Sequence, residues 1–184
     1  REGEPGEALS LSDMAIKNYS KKDKKGLAMA YYHRAGAFLH LEDTTNAIND
    51  YLASIKLNET FENALSELAD VYFFTNKFED SDKMYKKLSE TNRGNALAYY
   101  GMARNAYNQG QYEKAIEYIA YSRKLDPNSS TPDRLTMRLY MHKQETEKAL
   151  EYCITLLNKD EYDNEGYYSL MEISDSIPET VISR

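Results

Sequence analysis

Residues 96–129 read ALAYYGMARNAYNQGQYEKAIEYIAYSRKLDPNS, and the spacing of their apolar side chains decides the fold. From Ala96 to Asn108 the residues Tyr99, Met102, Ala103 and Ala106 fall at spacings of three and four, the period of a helix with one buried face. Gln109-Gly110-Gln111 interrupts the pattern as a turn, and Ile116 and Ile119 carry it on through a second helix from Tyr112 to Leu125. Asp126-Pro127-Asn128 ends that helix, because Pro127 cannot continue it. The segment is therefore predicted to be a hairpin of two helices. Ala103 and Ala115 lack side-chain bulk and let the two backbones approach, while Tyr99, Met102, Ile116 and Ile119 fill the flanks.

The same unit recurs along the chain. Ala47, Ser81, Ala115 and Ala149 are each 34 residues apart, and Ala35, Ala69 and Ala103 repeat that spacing. Tyr31, Leu65, Tyr99 and Tyr167 share a register, as do Phe38, Tyr72 and Tyr140, and Tyr51, Tyr85, Ile119 and Cys153. Asp133 and Ala106 depart from these columns. The period divides the chain into full units at 28–61, 62–95, 96–129 and 130–163, partial units at 8–27 and 164–184, and a disordered tail at 1–7. Turns are expected at Glu42 to Thr45, Thr75-Asn76-Lys77 and Lys143-Gln144-Glu145. Ser130 or Thr131 is expected to cap the fourth unit, with Pro132 at its first helical position, where a missing amide costs least.

At the N-terminal end, Ala8, Leu9, Leu11, Ala15 and Ile16 read as a second helix whose partner would precede Arg1. At the other end, Tyr167 to Ser174 read as a first helix, and Ser176-Ile177-Pro178-Glu179 as the opening of a second. Apolar faces left exposed at either end would favour self-association. The start at Arg1 reads as an excised or processed fragment, so localisation stays open between the cytoplasm and, if a signal peptide was removed, the periplasm.

Composition narrows the function classes. A formal charge of -7 disfavours a nucleic-acid partner, since neutralising phosphates takes a surplus of Lys and Arg. No apolar run approaches the roughly 18 residues of a membrane span. Seventeen tyrosines and no tryptophan put amphipathic rings in the packing. His33, His40 and His142 are too far apart for a local metal motif, and Cys153 sits at a packing position as a structural thiol. No catalytic set, metal site or cofactor site is expected. Glu161 to Glu172 partly mimics a calcium loop, with Gly166 sixth and Glu172 twelfth, but the repeat register already assigns Tyr167, Leu170 and Met171 to a helix. The run Lys21, Lys22, Lys24 and Lys25 reads as cations at the C-terminal end of a helix, with Gly26 as the stop.

Tyr99-Tyr100-Gly101-Met102-Ala103-Arg104, then Gln109 to Tyr118, then Leu125-Asp126-Pro127-Asn128, resembles a tetratricopeptide repeat, and residues 8–184 resemble a bacterial-type array of such units. The second and fourth units lack the terminal proline, having Arg93 and Glu161 in its place. The resemblance implies an all-α fold, a right-handed α-solenoid of antiparallel helix hairpins, with about four full units and a half-unit at each end. It further implies a non-catalytic scaffold that binds a protein or peptide partner in a concave groove lined by the first helix of each hairpin. The alternative is a sensor or regulatory segment of a larger multidomain enzyme or transcription regulator.

Projected onto this sequence, the groove takes Met29, Tyr32, His33, Gly36 and His40 from the first unit and Asn63, Ser66, Glu67, Asp70 and Phe73 from the second. The third contributes Leu97, Tyr100, Arg104 and Tyr107, and the fourth Arg134, Arg138 and His142. The arginines suit a carboxylate ligand, since guanidinium forks match that geometry. The carboxylate clamp by which some members of the family hold chaperone tails is disfavoured. Tyr32 and Gly36 stand where Lys and Asn are needed, and Glu67, Leu97 and Gly101 miss the later clamp positions.

Overall fold

The computed structural model describes residues 5–176. Among them are ten helices and no strand: α1 Pro5–Asn18, α2 Lys24–His40, α3 Thr44–Leu57, α4 Glu62–Phe74, α5 Phe78–Thr91, α6 Ala96–Asn108, α7 Tyr112–Leu125, α8 Thr131–His142, α9 Thr146–Lys159 and α10 Asn164–Ser176. They pack as antiparallel hairpins, an all-α fold of the solenoid class. The chain divides into two compact units, Arg1–Gly94 and Asn95–Arg184. No helix among the described residues is long and apolar enough to cross a membrane.

One backbone device closes all four hairpins. Glu42, Asn76, Gly110 and Gln144, each 34 residues apart, sit in the left-handed region with φ of 60, 57, 72 and 58°. Directly after each, an amide turns back to the preceding helix: Asp43 to Phe38 O, Lys77 to Tyr72 O, Gln111 to Ala106 O and Glu145 to Tyr140 O, at 2.8 to 3.0 Å. A left-handed residue costs a side-chain-bearing amino acid about 1–2 kcal/mol and glycine almost nothing. Gln144→Gly is accordingly expected to stabilise unit 2, and Gly110→Ala to destabilise it, each by about 0.5–1 kcal/mol once unfolded-chain entropy is offset. Urea denaturation of both variants checks the sign.

Within unit 1, the α2–α3 hairpin closes on Ala35 and Ala47, both without solvent exposure, and on buried Tyr51. The α4–α5 hairpin closes on Ala69, Ser81 and Tyr85, and Ser81 Oγ donates to Ala69 O at 2.8 Å. Arg34 fastens α1 to this unit. It grips Asp50 of α3 in a fork, Nε and one terminal nitrogen at 2.6 and 2.8 Å, and gives its other terminal nitrogen to Asp13 at 2.6 Å. Hydrogen bonding to Asp50 first, then to Asp13, raises the Arg34 pKa.

Within unit 2, α6 and α7 close on Ala103, Ala115 and Ile119, and α8 and α9 on Met137, Ala149 and Cys153. A serine repeats one cross-hairpin bond in both units: Ser54 Oγ donates to Ala28 O at 2.7 Å, and Ser122 Oγ to Ala96 O at 3.0 Å. The two departures from the register are explained by their neighbours. Ala106 clusters with Ala115 and Leu139, and Tyr140 packs against that cluster. Asp133, where other units carry Tyr or Leu, is buried because Arg123 of α7 and Lys159 of α9 reach it at 2.8 and 2.6 Å. Lys159 also donates to Pro127 O and Ser129 O, both at 3.0 Å, so its ammonium ties the α7–α8 loop to α9.

Several local expectations are corrected. α1 begins at Pro5, so residues 5–7 are helical. Gly26 does not stop a helix: α1 ends at Asn18, and Gly26 lies in the first turn of α2, donating its amide to the capping carboxylate of Asp23 at 2.9 Å. Its lack of a side chain serves close packing, since a Cβ there would fall 2.5 Å from the Tyr19 ring. The neighbouring Lys24 and Lys25 consequently open a helix instead of closing one. Ser130 precedes α8 but makes no side-chain cap; Ser129 Oγ accepts the Thr131 amide at 3.4 Å, and Pro132 is the second helical residue. α10 runs through Ser176, and the rest of the second helix expected from Ser176 falls on residues 177–184, which lie outside the described residues.

Candidate functional site

In unit 1 a groove of about 890 Å³ opens between the first helices of the repeats. Tyr32, His33, Gly36 and His40 of α2 form one wall, successive turns of one helix face presenting them together. Glu67 of α4, Tyr51 of α3, and Pro5 and Ala8 of α1 complete the lining. The Tyr32 ring anchors the wall. It lies 5.1 Å from Phe61, 5.9 Å from Tyr51 and 5.2 Å from His33, centroid to centroid. Rings packed in tilted and edge contacts hold one another's orientation, so this surface is preorganised.

The electrostatics of the groove turn on Glu67. Burial, with the nearby Asp70 carboxylate adding to it, holds Glu67 above its ordinary pKa. Burial pushes the Tyr32 and Tyr51 phenols up as well, and in both cases the Glu67 charge adds to the shift. A carboxylate and two phenols therefore converge on one stretch of the groove. Asp70, one turn along α4, accepts the Tyr85 hydroxyl at 2.8 Å. Phe73 sits nearer the hairpin tip, 5.8 Å from Phe78 across the turn.

In unit 2 the residues projected onto the groove separate into two kinds. Tyr100 and Arg104 stack along α6, the guanidinium 6.0 Å from the ring centre. Tyr107 joins Tyr112 and His142 at 5.9 and 6.5 Å, and the Tyr112 hydroxyl is hydrogen-bonded to His142 Nε2 at 2.6 Å. Arg134 and Arg138, by contrast, are engaged within the chain. Arg134 pairs with Asp163, and Arg138 Nε donates to Glu165 at 2.6 Å. Asp163 also accepts the Gly166 amide at 2.8 Å and so caps α10. Burial opposes its ionisation, but Arg134 and the amides prevail and lower its pKa.

The repeat register shows what Arg134 replaces. Tyr32 meets Phe61 at a sequence separation of 29 residues, and Arg134 meets Asp163 at the same separation. One position thus links successive repeats by an aromatic contact in unit 1 and by an ion pair in unit 2. Sequence spacing assigns Tyr51 to packing alone and places no α1 residue at the groove. The 34-residue column marks Tyr51 as core, and the ring is buried even though its edge reaches the groove. His33 and His40 line the unit 1 groove, and His142 belongs to the aromatic group of unit 2.

Two segments, 28–61 and 96–129, match family models described as tetratricopeptide repeat. No curated protein sequence matches. Among solved structures, MamA from Desulfovibrio magneticus RS-1 superposes with a TM-score of 0.75 at 18% identity, over 89% of this chain and 90% of that one. TTC0263, a thermophilic tetratricopeptide-repeat protein of Thermus thermophilus, gives 0.70 at 15% identity, over 93% and 91%. YrrB, described as a tetratricopeptide-repeat protein with an unusual peptide-binding site, gives 0.67 at 15% identity, over 91% and 84%. The chain thus carries two recognised tetratricopeptide repeats, at 28–61 and 96–129, within a hairpin fold that it shares with these structures.

Proposed function

We propose that the chain is a non-catalytic scaffold that holds an extended segment of a protein or peptide partner in the unit 1 groove. The fold supports the general role, since tetratricopeptide repeats typically serve as protein-interaction scaffolds. The observation that carries the specific reading is the groove itself, where rigid aromatic surface from Tyr32 and Tyr51 lies beside the polar groups of His33, His40 and Glu67. Aromatic anchors with a few polar groups around them are the composition of an interaction hot spot. In unit 2 the half-buried Tyr100, Arg104 and Tyr107 offer a second contact patch of the same kind. YrrB offers a precedent for a peptide site on this fold, though not for its position here.

Gly36 provides the test. It lines the groove, and a Cβ built on it meets nothing within 4 Å, so a larger side chain there projects into the space a peptide would fill. Gly36→Leu also improves helix propensity by about 0.5–1 kcal/mol, so the fold is retained. Peptides selected on the intact chain from a random display library are expected to lose roughly tenfold in affinity on Gly36→Leu, about 1.4 kcal/mol. Unchanged affinity for every selected peptide, with an unchanged or raised Tm, would place binding on another surface.

A further inference from the structure

We propose that the occupant of the unit 1 groove is a basic segment, an extended peptide that sets a lysine or arginine side chain against the Glu67 carboxylate and the ring of Tyr32. This rests on the groove reading above and names the chemistry of its ligand. Among the described residues lining the groove, Glu67 is the only Asp, Glu, Lys or Arg, so these residues give the cavity one formal charge, and it is negative. The cation closest in sequence to the wall, Arg34, is spent on Asp13 and Asp50. Among the described residues none forms an ion pair with Glu67, and its elevated pKa reflects a carboxylate partly removed from water without compensation. A bound ammonium or guanidinium supplies that compensation.

The second half of the site is the aromatic wall. A cation over an aromatic face is attracted by the ring's quadrupole, and desolvation strengthens the contact. The chain uses this pairing internally, with Arg34 5.3 Å from the Tyr31 ring centre and Arg123 5.2 Å from that of Tyr152. Tyr32, held by Phe61 and Tyr51, offers a comparable surface beside a carboxylate. An acidic ligand finds less here. Among the described residues no Lys or Arg lines the unit 1 groove, and in unit 2 Arg134 and Arg138 are already matched by Asp163 and Glu165.

The experiment uses the intact chain and three fluorescein-labelled nonapeptides in which Leu alternates with Lys, Gln or Glu, read by fluorescence anisotropy. The Lys peptide is expected to bind roughly fivefold tighter than the Gln peptide, the scale of one partly exposed ion pair, with the Glu peptide weakest. Glu67→Gln should abolish the difference between the Lys and Gln peptides. Glu79→Gln, an identical change of net charge at an exposed site away from the groove, should preserve it. Equal binding of the Lys and Gln peptides, preference for the Glu peptide, or equal losses from the two Gln variants would each overturn the basic-ligand assignment. If Gly36→Leu still weakens whichever peptide binds, the groove reading survives that failure. If Gly36→Leu changes none of them, both fall.

Discussion

Arg123→Ala combined with Lys159→Ala is expected to lower the unfolding free energy by about 3 kcal/mol, the low end for stranding a buried charge. The Asp133 side chain is 3% exposed and sits among α7, α8 and α9, held by the Arg123 guanidinium on one side and the Lys159 ammonium on the other. With both cations removed, a carboxylate remains in the packed interior with only neutral donors near it. Each single substitution leaves the other cation in place and is expected to cost about 1 kcal/mol, because these cations are 34% and 28% exposed and solvent screens part of each pair. The double variant therefore loses more than the sum of the singles. Adding Asp133→Leu should recover most of the loss, since the charge is gone and Leu65 already occupies the equivalent place in the second repeat. Urea denaturation followed by circular dichroism measures all of these. A double variant within about 0.5 kcal/mol of the parent would mean that the triad is a surface network of little consequence.

Ala115→Leu is the second large effect. Ala115 is fully buried and clusters with Ala106 and Leu139, with Tyr112, Ile116, Tyr118 and Tyr140 packed against the same group. Three added carbon atoms have no space there, so α6 and α7 must separate or neighbouring side chains must leave their rotamers. Overpacking of this kind costs about 1–3 kcal/mol. For a chain of this length that corresponds to a fall in Tm of about 2–12 °C. Ala120→Leu is the control, because Ala120 lies on the exposed side of the same helix and should leave Tm within about 1 °C. Equal Tm values for the two variants would contradict the packing register.

The hairpins were legible in the sequence because small and aromatic residues recur at the repeat period, and α6 and α7 lie where the third unit's pattern places them. Their closing device was legible only at Gly110. The same left-handed position is filled by Glu42, Asn76 and Gln144, whose identities do not announce the conformation that the turn forces on them. Gly26 misled for the opposite reason, being required by the nearness of the Tyr19 ring and not by its backbone angles. Asp133 looked like a fault in the repeat because its partners, Arg123 and Lys159, come from two other helices and converge only in the folded chain.

The candidate groove was legible as a helix face, since Tyr32, His33, Gly36 and His40 follow helical spacing. Its charge was not. Arg134 and Arg138 read as free cations until Asp163 and Glu165, supplied by the next repeat, are brought beside them. Compensation of this sort depends on contacts between repeats, and a single helix face does not disclose it. Glu67 is the converse case: the sequence places it on the groove face, but only the assembly of α2, α3 and α4 makes it the one formal charge among the described residues that line the groove.

The most direct test of the scaffold reading is an NMR titration of the intact chain with a library-selected peptide, following the ring resonances of Tyr32, His33 and His40. The expected result is saturable shifts at these three residues, absent in Gly36→Leu, with the ring of Tyr162, exposed on the α9–α10 turn, unmoved. Saturable binding that leaves Tyr32, His33 and His40 undisturbed would contradict the groove as the site of recognition.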